Sequence, residues 1–95
     1  MAAYLFADID VHDAATFDRY KADVPALIAK HGGEYLIRGG ALEIVEGNWR
    51  PKRCVLLKFP DKAAARAFLD DPEYATVAAL RFRSATSNVV MIEGV

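Results

Sequence analysis

The sequence predicts an α+β fold in which four antiparallel strands form one sheet with helices on one face. Three observations carry this. Four stretches read as strands by alternation or by an apolar run; helical periodicity fills the gaps between the first and second and between the third and fourth; and a glycine-containing turn joins the middle two. The 95 residues are expected to make one domain over residues 1–95.

Tyr4 to Val11 alternates, with Leu5, Ala7, Ile9 and Val11 on one face and Tyr4, Phe6, Asp8 and Asp10 on the other. The wholly apolar set belongs under helices. Asp13 is a suitable N-cap for a helix running to His31, in which Phe17, Tyr20, Val24, Leu27, Ile28 and His31 draw one stripe. Pro25 lies inside this helix and predicts a bend, and Gly32 ends it.

A second strand opens at Glu34, with Tyr35 and Ile37 facing one way and Leu36 and Arg38 the other. Gly39-Gly40 marks a bulge or bend, after which Leu42, Ile44 and Glu46 resume the alternation up to a turn at Gly47 to Lys52. Arg53 to Phe59 is the third strand, with Val55, Leu57 and Phe59 opposite Cys54, Leu56 and Lys58. Asp61 caps a helix over Lys62 to Leu69. Asp71 and Pro72 start another that runs to about Phe82, with Tyr74, Val77, Ala78 and Arg81 on one face. The last strand covers Ser87 or Asn88 to Val95 and is apolar on both faces.

This order is the split βαβ, or ferredoxin-like, arrangement βαββαβ. The face away from the helices then carries Tyr4, Phe6, Leu36, Leu56 and either Val90 with Ile92 or Val89 with Met91. So large an apolar face predicts a homodimer that covers it. Hydrophobic residues make up 54% of the chain, more than one small two-layer core needs, which points the same way.

Twelve basic residues against thirteen acidic, with no long run of either sign, supply no one-sided basic footprint, so no nucleic-acid partner is expected. No stretch reaches the roughly 20 apolar residues of a membrane span, and Asp8 and Asp10 are out of place in a signal peptide. A cytoplasmic protein without a membrane partner is the expectation. The single Cys54 reads as a small strand residue, and two distant histidines give neither a metal site nor a haem site; no cofactor is predicted.

The helix ending in His31-Gly32-Gly33, then Arg38-Gly39-Gly40, Glu46-Gly47-x-Trp49-x-Pro51, Phe59-Pro60, Asp71-Pro72-Glu73-Tyr74, Arg81 and Glu93-Gly94, in this order, resemble the small bacterial domain-of-unknown-function-1330 family. The resemblance spans nearly the whole chain. It implies a ferredoxin-like fold whose sheets pack face to face in a dimeric α+β barrel, and it implies no established reaction. The wider superfamily includes cofactor-independent monooxygenases, muconolactone isomerases and chlorite-dismutase-like haem proteins, which use the cavity between sheet and helices, so the resemblance also implies a small-molecule pocket. Lys58 departs from the family pattern, where an acidic residue is more usual, and no carboxylate role is carried over to it.

Among the polar residues, Arg38 stands first, because an arginine on the mixed face beside a glycine bulge presents a planar fork of donors suited to a carboxylate or enolate. The competing reading is a structural ion pair. With the turn centred near Trp49, Arg38 is expected near Lys58 and Tyr4, a cationic setting that favours an anionic ligand. Glu46 and Arg53 should face each other as a cross-strand salt bridge, with acid–base work for Glu46 or ligand contact for Arg53 as the alternatives. Trp49 is a lid, a packing anchor or a dimer contact. His31 either caps helix carbonyls or transfers a proton in the cavity. Arg81 points inward or along the sheet edge, Tyr20 and Tyr74 read as core, and His12 as exposed.

Two functions follow. The first is a homodimer with a cavity per subunit that binds a small anionic or polar organic molecule and acts on it, if at all, without a cofactor, as an isomerase or monooxygenase-like enzyme. Arg38, Tyr4, Trp49, Arg53 and Arg81 would contact substrate while His31 or Glu46 handles a proton. The second is a non-catalytic homodimeric module in which the same residues make salt bridges. Open volume near Arg38 separates them.

Overall fold

A computed structural model describes residues 1–95. The elements are β1 (Ala3–Val11), α1 (Ala14–Lys30), β2 (Glu34–Arg38), β3 (Arg53–Phe59), α2 (Lys62–Asp70), α3 (Pro72–Ser84) and β4 (Ala85–Glu93). The strands form one antiparallel sheet in the order β2-β3-β1-β4, and the three helices cover one of its faces. This is the ferredoxin-like arrangement. Its smallest dimension, 16 Å, is that of one sheet and one helical layer. No helix is long and apolar enough to cross a membrane.

Local chemistry places the helix boundaries. Asp13 accepts from the Thr16 backbone N–H at 3.2 Å, Asp61 from Ala64 N–H at 2.8 Å and Asp71 from Glu73 N–H at 2.9 Å, so each of the three helices starts on an aspartate. Pro25 leaves α1 unbroken over 17 residues, and the buried stripe Phe17, Val24, Leu27 and Ile28 continues through it. Gly32 and Gly33 donate to Ala29 and Ile28 carbonyls at 3.0 and 2.9 Å, and Gly32 has φ +77°. These bonds are those of a Schellman stop.

Gly33 is required for a second reason. A Cβ there would stand 2.6 Å from the Phe59 ring and 2.8 Å from Ile28, in the packed core. Gly33→Ala should cost about 1–3 kcal/mol by overpacking, hence a melting point lower by about 4–8 °C per kcal/mol. Gly40→Ala, where a Cβ meets nothing, is the control in thermal unfolding, and equal melting points for the two variants would contradict this packing.

Three expectations change. The second strand ends at Arg38, and Gly40 to Arg50 is exposed chain outside the sheet, so the resumed strand at Leu42 to Glu46 does not form. The bulge lies at Leu36, not at Gly39-Gly40: the register steps from Tyr35↔Leu57 to Ile37↔Leu56 and Arg38↔Val55. One extra residue moves every later side chain to the other face. Arg38 therefore shares the helix-covered face with Val55 and Ala7, away from Lys58 and Tyr4. Third, α3 runs to Ser84 and β4 begins at once. The Ser84 carbonyl accepts from His12 and Asp13 N–H at 2.9 and 3.1 Å, which ties the junction to the end of β1 without a loop.

The helix-covered face is filled by two apolar clusters. The larger gathers Leu5, Val24, Ile28, Leu57, Phe59, Phe68 and Tyr74; the smaller is Ile9, Phe17 and Ala85. Tyr20 and Val55 touch both without being fully buried. The core is thus divided, and the gap between its parts is a cavity.

Candidate functional site

That cavity has a volume of about 380 Å³ and is bounded by the sheet and all three helices. Its wall is largely apolar, with Leu5, Ala7, Ile9, Val55 and Leu57 from the sheet and Phe17, Val24 and Phe68 from the helices. Into this wall are set Arg38, Arg53, Arg81 and three phenols, Tyr20, Tyr35 and Tyr74. An apolar cleft with a few convergent polar groups is the usual form of a small-molecule site.

The arginines grade from edge to interior. Arg38 is exposed and stacks on the Tyr35 ring at 4.4 Å; Arg53 is half-buried with its guanidinium 5.7 Å from the Phe17 ring centre; Arg81 is only 8% exposed. None pairs with a carboxylate. The other cations of the wall do: Lys21 meets Asp18 at 3.1 Å, and Arg66 meets Asp70 at 3.8 Å. Arg53 Nε is sealed from solvent without a hydrogen-bond partner, which is costly for a charged group. Gly39 makes room for it, since a Cβ there would run into the Arg53 guanidinium. Arg38 and Arg53 flank Val55 on one face, so two unpaired cations sit at the same end of the cavity.

Tyr20 and Tyr35 are donors at neutral pH. Burial, and after it the neighbouring Tyr74, pushes Tyr20 well above its ordinary range, while burial raises Tyr35 against the opposing pull of Arg38 and Arg53.

Arg38, Arg53 and Arg81 are thus brought together, and the other singled-out residues lie elsewhere. Glu46 is exposed in the Gly40–Arg50 chain and does not pair with Arg53. Tyr4 is on the open sheet face, paired with Lys58 and Ile92. Trp49 lies on that same face: its indole N–H donates to Asp8 Oδ2 at 3.1 Å and its ring meets Phe6 edge-on at 6.0 Å. Asp8 Oδ1 also accepts from Lys52 N–H at 3.0 Å, so one carboxylate draws the connecting loop back over the sheet. Cys54 faces that way too, opposite Asp8, and burial followed by Asp8 pushes its thiol up, away from nucleophilic character. His, Cys, Asp and Glu side chains nowhere gather in a group of three placed to hold a metal ion.

His31 lies outside the cavity, with Nε2 at 2.8 Å from Asp71 Oδ2. Lys30 donates to the same oxygen at 2.9 Å and to Glu73 at 3.2 Å, which joins the end of α1 to the start of α3. The hydrogen bonds from His31, then Lys30, then Glu73 N–H hold the Asp71 carboxyl well below the usual carboxylate range. A depressed folded-state pKa stabilises the fold above the ordinary value of 3.8, and that contribution is lost as pH falls below it. Asp71→Asn should therefore lower the melting point at pH 7, with the gap to the parent narrowing progressively as pH falls below about 4. A gap independent of pH would mean that only the cap matters.

The sequence places Tyr20 and Tyr74 in the core and gives Tyr35 no part in a site, yet all three line the cavity. Their signal was phenols within otherwise apolar faces. A family model described as "Domain of unknown function (DUF1330)" matches residues 2–95. None of the curated protein sequences matches the chain at a significant level. Among solved structures, a protein of unknown function from Rhodopseudomonas palustris, RPA0582, superposes with TM-score 0.80 at 15% identity, over 99% of this chain and 82% of that one. A protein from Jannaschia sp. CCS1, described as dimeric, ferredoxin-like and of unknown function, gives 0.67 at 17% identity over 99% and 100%. SnoaB from Streptomyces nogalater, described as a cofactor-independent oxygenase, gives 0.64 at 18% over 99% and 92%. At these identities the likeness is one of fold.

Proposed function

We propose that this chain, which belongs to the DUF1330 family, pairs through its open sheet face and binds a small, largely apolar organic anion in the cavity of each subunit. One observation carries the reading: three arginines without carboxylate partners line an apolar cavity of about 380 Å³. An unpaired guanidinium in such a wall is a strong, directional receptor for a carboxylate or enolate. The open volume beside Arg38 favours this reading over a module held together by salt bridges. A calorimetric titration of aryl carboxylates against their neutral amides tests it: the acids should bind one per chain and the amides at least about tenfold more weakly. Equal affinities would remove the anion site.

The dimer rests on the open face. The register puts Val90 opposite Phe6 and Ile92 opposite Tyr4, and Leu36, Ile37, Val90 and Ile92 remain 42–54% exposed in the single chain. The Jannaschia neighbour described as dimeric has the same fold. Turnover without a cofactor is the further reading, favoured by the same arginines, because a guanidinium beside a developing enolate stabilises it. Since neither His31 nor Glu46 lines the cavity, proton transfer there would fall to the phenols. The lone Cys54 thiol suits a reducing, cytoplasmic location.

A further inference from the structure

The most buried of the three arginines is unexplained by an anion held at the cavity edge. Arg81 sits on α3, about two turns past Tyr74, and donates from Nη2 to the Tyr74 hydroxyl at 3.4 Å, with its guanidinium 5.8 Å from the Tyr20 ring centre. That long bond leaves most of its five donors unspent, and no carboxylate neutralises it. A buried cation of this kind is expensive unless something anionic or strongly polar completes it. Tyr20 and Tyr74 also line the cavity, so a guanidinium and two phenols meet at one place in its wall. Arg38 and Arg53 belong to a different element pair, β2 and β3, and flank Val55. The cavity therefore has two polar stations on an apolar ground.

We propose that Arg81, Tyr74 and Tyr20 form a second subsite that receives an oxygen function of the ligand, a phenol, enol or ketone, while its carboxylate lies on Arg38 and Arg53. The ligand class is then a hydroxyaryl or oxo carboxylic acid, with its two oxygen functions separated by an apolar body. The assignment rests on the cavity reading above. The setting suits this, since burial keeps Tyr20 a donor at neutral pH and a donor set of guanidinium and hydroxyls holds an oxyanion best.

The test compares two matched pairs of probes, 2-naphthoate with 6-hydroxy-2-naphthoate and cinnamate with 4-hydroxycinnamate, by calorimetry on the parent, Tyr74→Phe, Tyr20→Phe and Arg38→Ala. A site built to hydrogen-bond an oxygen discriminates strongly against a ligand that lacks it. The hydroxylated member of at least one pair should bind the parent about tenfold or more tightly than its partner. That advantage should vanish in one of the phenylalanine variants and persist in Arg38→Ala, where both members weaken together. The two phenylalanine variants guard against one of them failing to fold. If the plain acids bind and the hydroxyl adds nothing in either pair, the second subsite is overturned while the anion cavity stands. If no acid binds, both readings fall.

Discussion

Arg38→Ala should weaken the binding of an aryl carboxylate by about tenfold to a hundredfold, the range set by one charge-assisted hydrogen-bonding group. Its own stability should stay within about 1 kcal/mol of the parent's, because Arg38 is exposed and has only its stack on Tyr35, and no ion pair, to lose. Arg53→Ala should show the same loss of affinity with some fall in stability, since its guanidinium packs beside Phe17 and over Gly39. The separation of affinity from stability is the informative feature. A ligand that binds only the folded state raises its melting point, so a single thermal-shift series reads both quantities. A large drop in the unliganded melting point of Arg38→Ala would make it a structural residue and return the module reading to the lead.

Val90→Asp should convert a dimer into a monomer. Val90 lies opposite Phe6 on the open face, midway along the edge strand β4, and a carboxylate buried there against apolar neighbours is costly without a partner. The cost, of order several kcal/mol, raises the dissociation constant by more than about a hundredfold, at about 1.4 kcal/mol per tenfold. Thr76→Asp, on an exposed position of α3, should remain dimeric. Sedimentation equilibrium at micromolar concentration decides this, and a parent that is itself monomeric would sink the dimer.

The outline of the fold was legible because each part was written in short-range chemistry. Asp13, Asp61 and Asp71 each cap the helix they announce, Gly32 takes its positive φ, and the alternation of β1 divides the helix-covered face from the open one. The hairpin was less so. Tyr35, Leu36 and Ile37 are all apolar in body, so no polar residue marks which of them is the extra one, while Gly39-Gly40 draws attention to the wrong place. That one-residue error put Arg38 on the wrong face, with Lys58 and Tyr4 as false neighbours. The real neighbour, Arg53, is signalled by Gly39, whose missing side chain makes space for the guanidinium.

Trp49 and the tyrosines were illegible for another reason. Where Trp49 rests depends on Asp8, 41 residues earlier, and only the pairing of β1 with β3 brings the two together. Tyr20 and Tyr74 sit in helical stripes and read as core. A cavity belongs to the packing of α1 and α3 on the sheet, not to any single stripe, so the stripe cannot say where the core parts.

The most direct test of the account is a titration with 2-naphthoate followed by the arginine side-chain Nε–H signals in nitrogen-15 NMR. The account predicts saturable shifts of the Arg38 and Arg53 signals, with backbone shifts at Val55 and Val24, at one molecule per chain. Shifts confined to the open sheet face around Phe6, Trp49 and Val90, or none at millimolar ligand, would contradict it.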